Sequence, residues 1–199
     1  MRKLVVTEFI SLDGVMEAPG GDDGYVHGPW TMPYWCDDIG AYKNAEMETA
    51  DALLLGRRTY EGFAAAWPSR TGDDFSDKMN SMAKYVVSGT LTSADWQNTT
   101  ILSGDMATEV AALKAQDGGD IMVAGSATLA QSLFEADLVD ELRLAIYPIT
   151  LGSGKKLFPH ESRLDFEPVE ITQASTGVTL TTFRRCEARP MATDFPFPD

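Results

Sequence analysis

Leu53-Leu54-Leu55-Gly56-Arg57-Arg58-Thr59-Tyr60 joins a short, wholly apolar run to a glycine, two adjacent arginines and a threonine. The apolar part reads as a strand covered on both faces, and the following Thr59-Tyr60-Glu61-Gly62-Phe63 reads as the opening of a helix. Such a junction suits an anion. Helix starts carry free N–H groups and a positive dipole end, glycine lets the backbone approach closely, and guanidinium grips phosphate through two parallel hydrogen bonds. A solvated basic pair on a surface turn is the plainer alternative. The surrounding charge gives the pair weight, because 16 Lys and Arg against 30 Asp and Glu leave a formal net charge of -14.

That acidic balance argues against nucleic acid or an anionic membrane surface as a partner, since either needs an extended positive field. With 199 residues, 44% of them hydrophobic, the chain can bury one substantial core. One domain is expected over residues 1–186, followed by an acidic, proline-rich tail at 187–199 in which Phe195 and Phe197 could dock on a neighbour. Met1-Arg2-Lys3 ahead of Leu4–Ile10 starts like an export signal, but Glu8 breaks the apolar run, so a strand is expected there. No run is long enough to cross a bilayer, which makes a cytoplasmic protein the expectation. Cys36 and Cys186 are expected as free thiols, and with only His27 and His160 no metal site is expected.

Strand-like runs recur at 4–10, 52–56, 84–88, 99–102, 120–124, 140–148 and 178–186, with helix-compatible segments between several of them. The segment Pro33–Ala50 can make a first helix with Asp37 and Asp38 in its first turn. Asp105 can cap another, running to about Gln116 and stopped by Gly118-Gly119. Residues 166–186 read as two β segments joined near Ser175-Thr176-Gly177. The expected fold is α/β, a mixed and mostly parallel sheet with flanking helices and a C-terminal antiparallel hairpin.

A second junction of the same kind lies at Ile121-Met122-Val123-Ala124-Gly125-Ser126-Ala127-Thr128-Leu129. If both strands are parallel their carboxyl ends share an edge, where open α/β sheets bind ligands, and a dinucleotide could span both. A tight turn with Ser126 as helix cap is the alternative. In Tyr85-Val86-Val87-Ser88-Gly89-Thr90-Leu91 the hydroxyls could reach a ribose, or simply form a turn. Gly152-Ser153-Gly154-Lys155-Lys156 fails as a phosphate loop, because Ile149 stands where its first glycine belongs and Lys156 where its hydroxyl belongs. It fails as a dinucleotide fingerprint at Leu157, and no Gly-x-Ser-x-Gly elbow places a nucleophilic serine.

Taken in order, Ser11-Leu12-Asp13-Gly14, Leu55-Gly56-Arg57-Arg58-Thr59-Tyr60-Glu61, Val86-Val87-Ser88, Val123-Ala124-Gly125-Ser126 and Leu138-Val139-Asp140-Glu141-Leu142 resemble the dihydrofolate reductase superfamily. Within it they resemble the branch related to the reductase domain of bacterial riboflavin biosynthesis, over roughly residues 3–186. The resemblance implies a sheet that binds NADPH across its carboxyl edge. Gly56, Arg57, Arg58 and Thr59 would face the 2′-phosphate and pyrophosphate, Ser88, Gly89 and Thr90 the adenosine ribose, and Gly125, Ser126, Ala127 and Thr128 the pyrophosphate. It also implies a homodimer, for which Leu142-Arg143-Leu144-Ala145-Ile146-Tyr147 offers a strand that one sheet could leave partly uncovered.

This sequence departs from the family at the substrate end. Ala124 stands where riboflavin-type reductases carry an acid, Ser126 where they carry a second glycine, and Thr7 where their first strand tends to carry a lysine. Gly40 falls near the position of the dihydrofolate reductase carboxylate.

The expected function is therefore an NADPH-dependent reductase that transfers hydride to a small heterocyclic substrate, pterin-, pyrimidine- or flavin-like. Asp13, Asp37 and Asp38 are the candidate catalytic acids, although a turn for Asp13 and helix capping for the others account for them as well. The Gly14–Trp35 segment is long enough for a lid, and Trp30 and Trp35 could stack on a flat substrate or pack in the core. The alternatives are a non-catalytic nucleotide-binding or interaction protein on the same scaffold, and a phosphohydrolase using Asp22-Asp23, whose spacing gives little support for a metal.

Overall fold

The structure is a computed structural model that describes residues 1–21, 24–158 and 163–189. Along the chain come β1 (Leu4–Ser11), α1 (Asp37–Thr49), β2 (Ala50–Gly56), α2 (Arg57–Ala66), α3 (Asp74–Ser81), β3 (Ala83–Val87) and β4 (Thr99–Leu102). Then follow α4 (Met106–Lys114), β5 (Asp120–Ala124), α5 (Ala127–Glu135), β6 (Glu141–Tyr147), β7 (Phe166–Gln173) and β8 (Thr179–Arg185). The strands form one eight-stranded sheet in the order β4-β3-β2-β5-β1-β6-β8-β7. The first six in that order run parallel, with Leu54 beside Val123 and Val6 beside Leu142. β8 lies antiparallel to β6, and β7 antiparallel to β8, which is the expected C-terminal hairpin. The fold is dihydrofolate reductase-like.

The apolar runs form strands because both faces of the sheet are covered. Leu4, Val6, Leu54, Ile121 and Val123 pack with α4 and α5 on one side. On the other, Leu53, Leu55, Val86 and Met122 pack against Tyr60 and Met79 of α2 and α3. Full burial of each such side chain contributes about 1.5–3 kcal/mol, so the middle of the sheet is its most stable part.

Several boundaries differ from expectation. Pro33 lies in a separate 3-10 turn, Met32–Tyr34, and Cys36 is extended, so α1 begins at Asp37 and both acids do fall in its first turn. α2 begins at Arg57, two residues before Thr59. Asp105 caps α4 as expected, its carboxylate accepting the Thr108 N–H at 2.9 Å. α3 was not anticipated. It is eight residues long, too short to show a clear 3.6-residue period, and Asp73 caps it at 2.9 Å from the Ser76 N–H.

Contrary to expectation, β6 is covered on both faces. Leu142 and Leu144 are buried on one side of the sheet, and Ala145 and Tyr147 on the other, all by this chain's own residues. In the C-terminal hairpin, the edge strand β7 carries Val169 and Ile171, 50% and 57% exposed. The tail from 190 onward with Phe195 and Phe197, and also Asp22, Asp23 and His160, lie outside the described residues. No helix among the described residues is long and apolar enough to cross a membrane.

Candidate functional site

Because β2 and β5 are parallel neighbours, their glycine-bounded exits meet at one edge of the sheet. Ser126 Oγ accepts the Gly56 N–H at 2.8 Å and donates to Thr59 Oγ1 at 2.8 Å, and Thr59 in turn donates to the Gly125 carbonyl at 3.0 Å. Ser126 is thereby occupied and does not cap α5, and no side chain caps α2 either. Two helix starts at this edge thus keep first-turn N–H groups that no side chain claims, whereas α3 and α4 have aspartate caps. Gly125 has φ +71°, and a Cβ there would come within 2.9 Å of Thr59 Cγ2. Only glycine fits this position without strain.

The two arginines are not equivalent. Arg57 pairs with Glu61 at 3.0 Å, one turn along α2. Arg58 is exposed and makes no hydrogen bond or ion pair among the described residues. It lies in the first turn of α2. Thr128 is exposed on the first turn of α5, while Ala127 is buried under it. At the end of β3, the Ser88 hydroxyl accepts the N–H groups of Thr90 (3.2 Å) and Leu91 (2.9 Å), forming the turn that leaves Gly89 and Thr90 exposed.

The three candidate acids are not brought together. Asp13 accepts the Ser11 hydroxyl at 2.6 Å and the N–H groups of Leu151 (3.1 Å) and Gly152 (2.8 Å). These bonds, the Ser11 hydroxyl foremost, hold its carboxyl down at about 2, and those from Leu151 and Gly152 fasten the turn after β1 to the loop after β6. Asp38 accepts the Ser175 N–H at 2.8 Å, which pins the β7–β8 turn and holds its carboxyl below the usual range. Asp37 is exposed. The Gly14–Trp35 segment is anchored where it is described: Trp30 Nε1 donates to the Glu17 carbonyl (2.8 Å), Thr31 to that of Pro19 (2.6 Å) and Tyr25 to that of Ser153 (2.6 Å). Trp30 is core, edge-on to Tyr147, whereas Trp35 is 49% exposed.

Two charged features escaped the sequence. Glu8 is buried on β1, and its Oε1 accepts the Gly125 N–H at 2.7 Å. Burial pushes its carboxyl up to about 8, against the lowering effects of the Gly125 N–H and Lys43. The Gly125 N–H is therefore turned inward, and the donors left for an anion are those of the first turn of α5. On the opposite face Glu46 is buried with Lys43 against Thr7. A carboxylate inside a covered strand was the signal for Glu8. The i,i+3 spacing of Lys43 and Glu46 was the only local signal for the pair.

Residues 2–180 match the model of the RibD C-terminal domain. Uncharacterized protein YyaP of Bacillus subtilis (strain 168) is 29% identical over 185 residues, covering 89% of this chain and 92% of the relative. Uncharacterized protein YwjB of the same organism is 30% identical over 160 residues, covering 80% and 84%. Among solved structures, a putative riboflavin biosynthesis protein from Shewanella sp. PV-4 superposes with TM-score 0.68 at 25% identity, over 93% of this chain and 99% of that one. Dihydrofolate reductase from Enterococcus faecalis, in complex with NADP(H) and RAB-propyl, superposes with TM-score 0.61 at 17% identity, over 93% and 97%, which is a likeness of fold. The chain belongs to the RibD C-terminal domain family.

Proposed function

We propose that the protein is an NADPH-dependent reductase of a small heterocycle. The observation that carries this is the pair of uncapped helix starts, joined through Ser126 between Gly56 and Thr59, with the unpaired Arg58 beside them. A pyrophosphate suits that edge, because the first-turn N–H groups of α5 supply donors without a competing cap. Arg58 would take the 2′-phosphate, and the exposed Gly89 and Thr90 would border the ribose. Bound there, NADPH supplies the hydride. The chain's task is then to fix the ring faces against each other and to keep water out. Membership of the RibD C-terminal domain family supports this proposal.

A second reading, a nucleotide-binding protein without turnover, is favoured by one observation: the carboxylates of Asp13 and Asp38 are spent on turns. Loss of NADPH absorbance in the presence of a panel of pterins, pyrimidines and flavins separates the two. Consumption with at least one ring supports the reductase. Tight NADPH binding with no consumption on any ring supports the second reading.

A further inference from the structure

Glu8 alternates with Val6 and Ile10 along β1, which places it on the sheet face that α4 and α5 cover. Only 6% of it is exposed. Its Oε1 accepts the Gly125 N–H at 2.7 Å, two residues ahead of the first residue of α5. A titratable group is thereby tied to the loop that leads into an uncapped helix start. Its other oxygen, Oε2, makes no hydrogen bond among the described residues and is free to carry a proton.

The charges around Glu8 do not hold it ionised. Lys43 and Glu46 of α1 act on it from the opposite face of the sheet with opposite signs. Its register partner on β6 is Leu144. The single charge on α5, Glu135, is at the far end of that helix. On α4, Glu109 accepts the Gly104 N–H and Lys114 pairs with Asp140. After β6, Lys155 pairs with Glu17 and Lys156 is exposed, while at the α2 start Arg57 pairs with Glu61 and Arg58 is exposed. Burial outweighs them all. Stability does not call for an acid here, since glutamine would accept the same N–H without the cost of a buried charge.

We propose that Glu8 must be neutral for this edge to hold NADPH, and that the protein takes up a proton at Glu8 as the dinucleotide binds. The proposal rests on the NADPH reading of the edge. A pyrophosphate at the first turn of α5 brings negative charge to the loop that Glu8 supports. A desolvated carboxylate there would repel it, whereas the neutral acid keeps the Gly125 contact without repulsion. Glu8 acts through Gly125 and is a positioning residue. Affinity is then highest where Glu8 is protonated and declines as pH rises through its titration.

Calorimetric titration of NADPH at pH 7, 8 and 9 into the wild type and Glu8→Gln tests this, with the pH 8 titrations run in two buffers of different ionisation enthalpy. These values lie above the second ionisation of a phosphate monoester, about 6, so the charge of the ligand stays constant. With Glu8 titrating at about 8, the wild type is expected to lose about tenfold in affinity between pH 7 and pH 9. At pH 8 it should take up about half a proton more per NADPH than the variant. Glu8→Gln should keep its affinity within about twofold across the range. A purely structural Glu8 would instead shift affinity by one factor at every pH. Equal wild-type affinity at pH 7 and pH 9, or a fall that the variant shares, overturns the proposal and leaves the reductase reading standing. Proton-linked NADPH binding with no ring reduced overturns the reductase reading and leaves the proposal standing. Absence of NADPH binding at every pH overturns both.

Discussion

The N–H of Gly56, the last residue of β2, donates to the hydroxyl of Ser126, just ahead of α5, at 2.8 Å across 70 positions of sequence. That bond locks two strand exits into one edge and withdraws Ser126 from capping its own helix. In Ser126→Ala the Gly56 N–H loses its partner, which costs about 1–3 kcal/mol. The urea midpoint should fall accordingly, and NADPH affinity should fall with it, as read by calorimetry.

Gly125→Val forces a β-branched residue to φ +71° and against Thr59 Cγ2. The strain is on the order of 1–3 kcal/mol, so the variant should fold with a lowered midpoint. NADPH binding should be abolished. A folded variant that binds NADPH like the parent would make the segment a turn and nothing more.

Glu8 ties stability to pH. Its carboxyl rises from the ordinary 4.5 to about 8 in the folded chain, so the folded state holds a proton that the unfolded state has already released. The stabilisation is complete below about 4.5, declines as pH rises and is gone above about 8. Across that window the loss is on the order of a few kcal/mol. Gln at this position keeps the acceptor for the Gly125 N–H and has no proton to lose. The difference in unfolding free energy between wild type and Glu8→Gln should therefore grow in favour of the variant from pH 5 to pH 8. A difference that does not change with pH would contradict the assignment.

The exposed Val169 and Ile171 on edge strand β7 make that edge the expected self-association surface. Light scattering at micromolar concentration should give twice the 21.7 kDa chain mass. Val169→Lys/Ile171→Lys should return it to one chain.

The strand exits were legible in sequence because a strand covered on both faces must be continuously apolar, and the glycine that follows marks where it stops. A mostly parallel sheet followed from the alternation of strands with helices, whereas the direct pairing of β2 with β5 is visible only in the structure. The helix α3 was not legible, because eight residues hold barely two turns. The difference between Arg57 and Arg58 rests on the ion pair from Arg57 to Glu61, and the two arginines are equivalent as neighbours in sequence. Lys43 and Glu46 acquire their meaning from Thr7 Oγ1, 36 and 39 positions away, and local spacing carries no trace of that contact. Asp13 and Asp38 read in sequence as candidate acids or as turn and cap residues, and the backbone N–H groups that occupy them come from segments 137 to 139 positions away.

Calorimetric titration of NADPH and NADH into wild type, Arg58→Ala and Arg57→Ala measures whether this edge takes the cofactor's 2′-phosphate through Arg58. A charge-assisted contact to the 2′-phosphate contributes about 1.5–3 kcal/mol, so the wild type should prefer NADPH by at least about tenfold. Arg58→Ala should erase the preference, and Arg57→Ala, whose side chain already serves Glu61, should erase less of it. Equal dissociation constants for the two cofactors in the wild type, or binding of neither, would contradict the account.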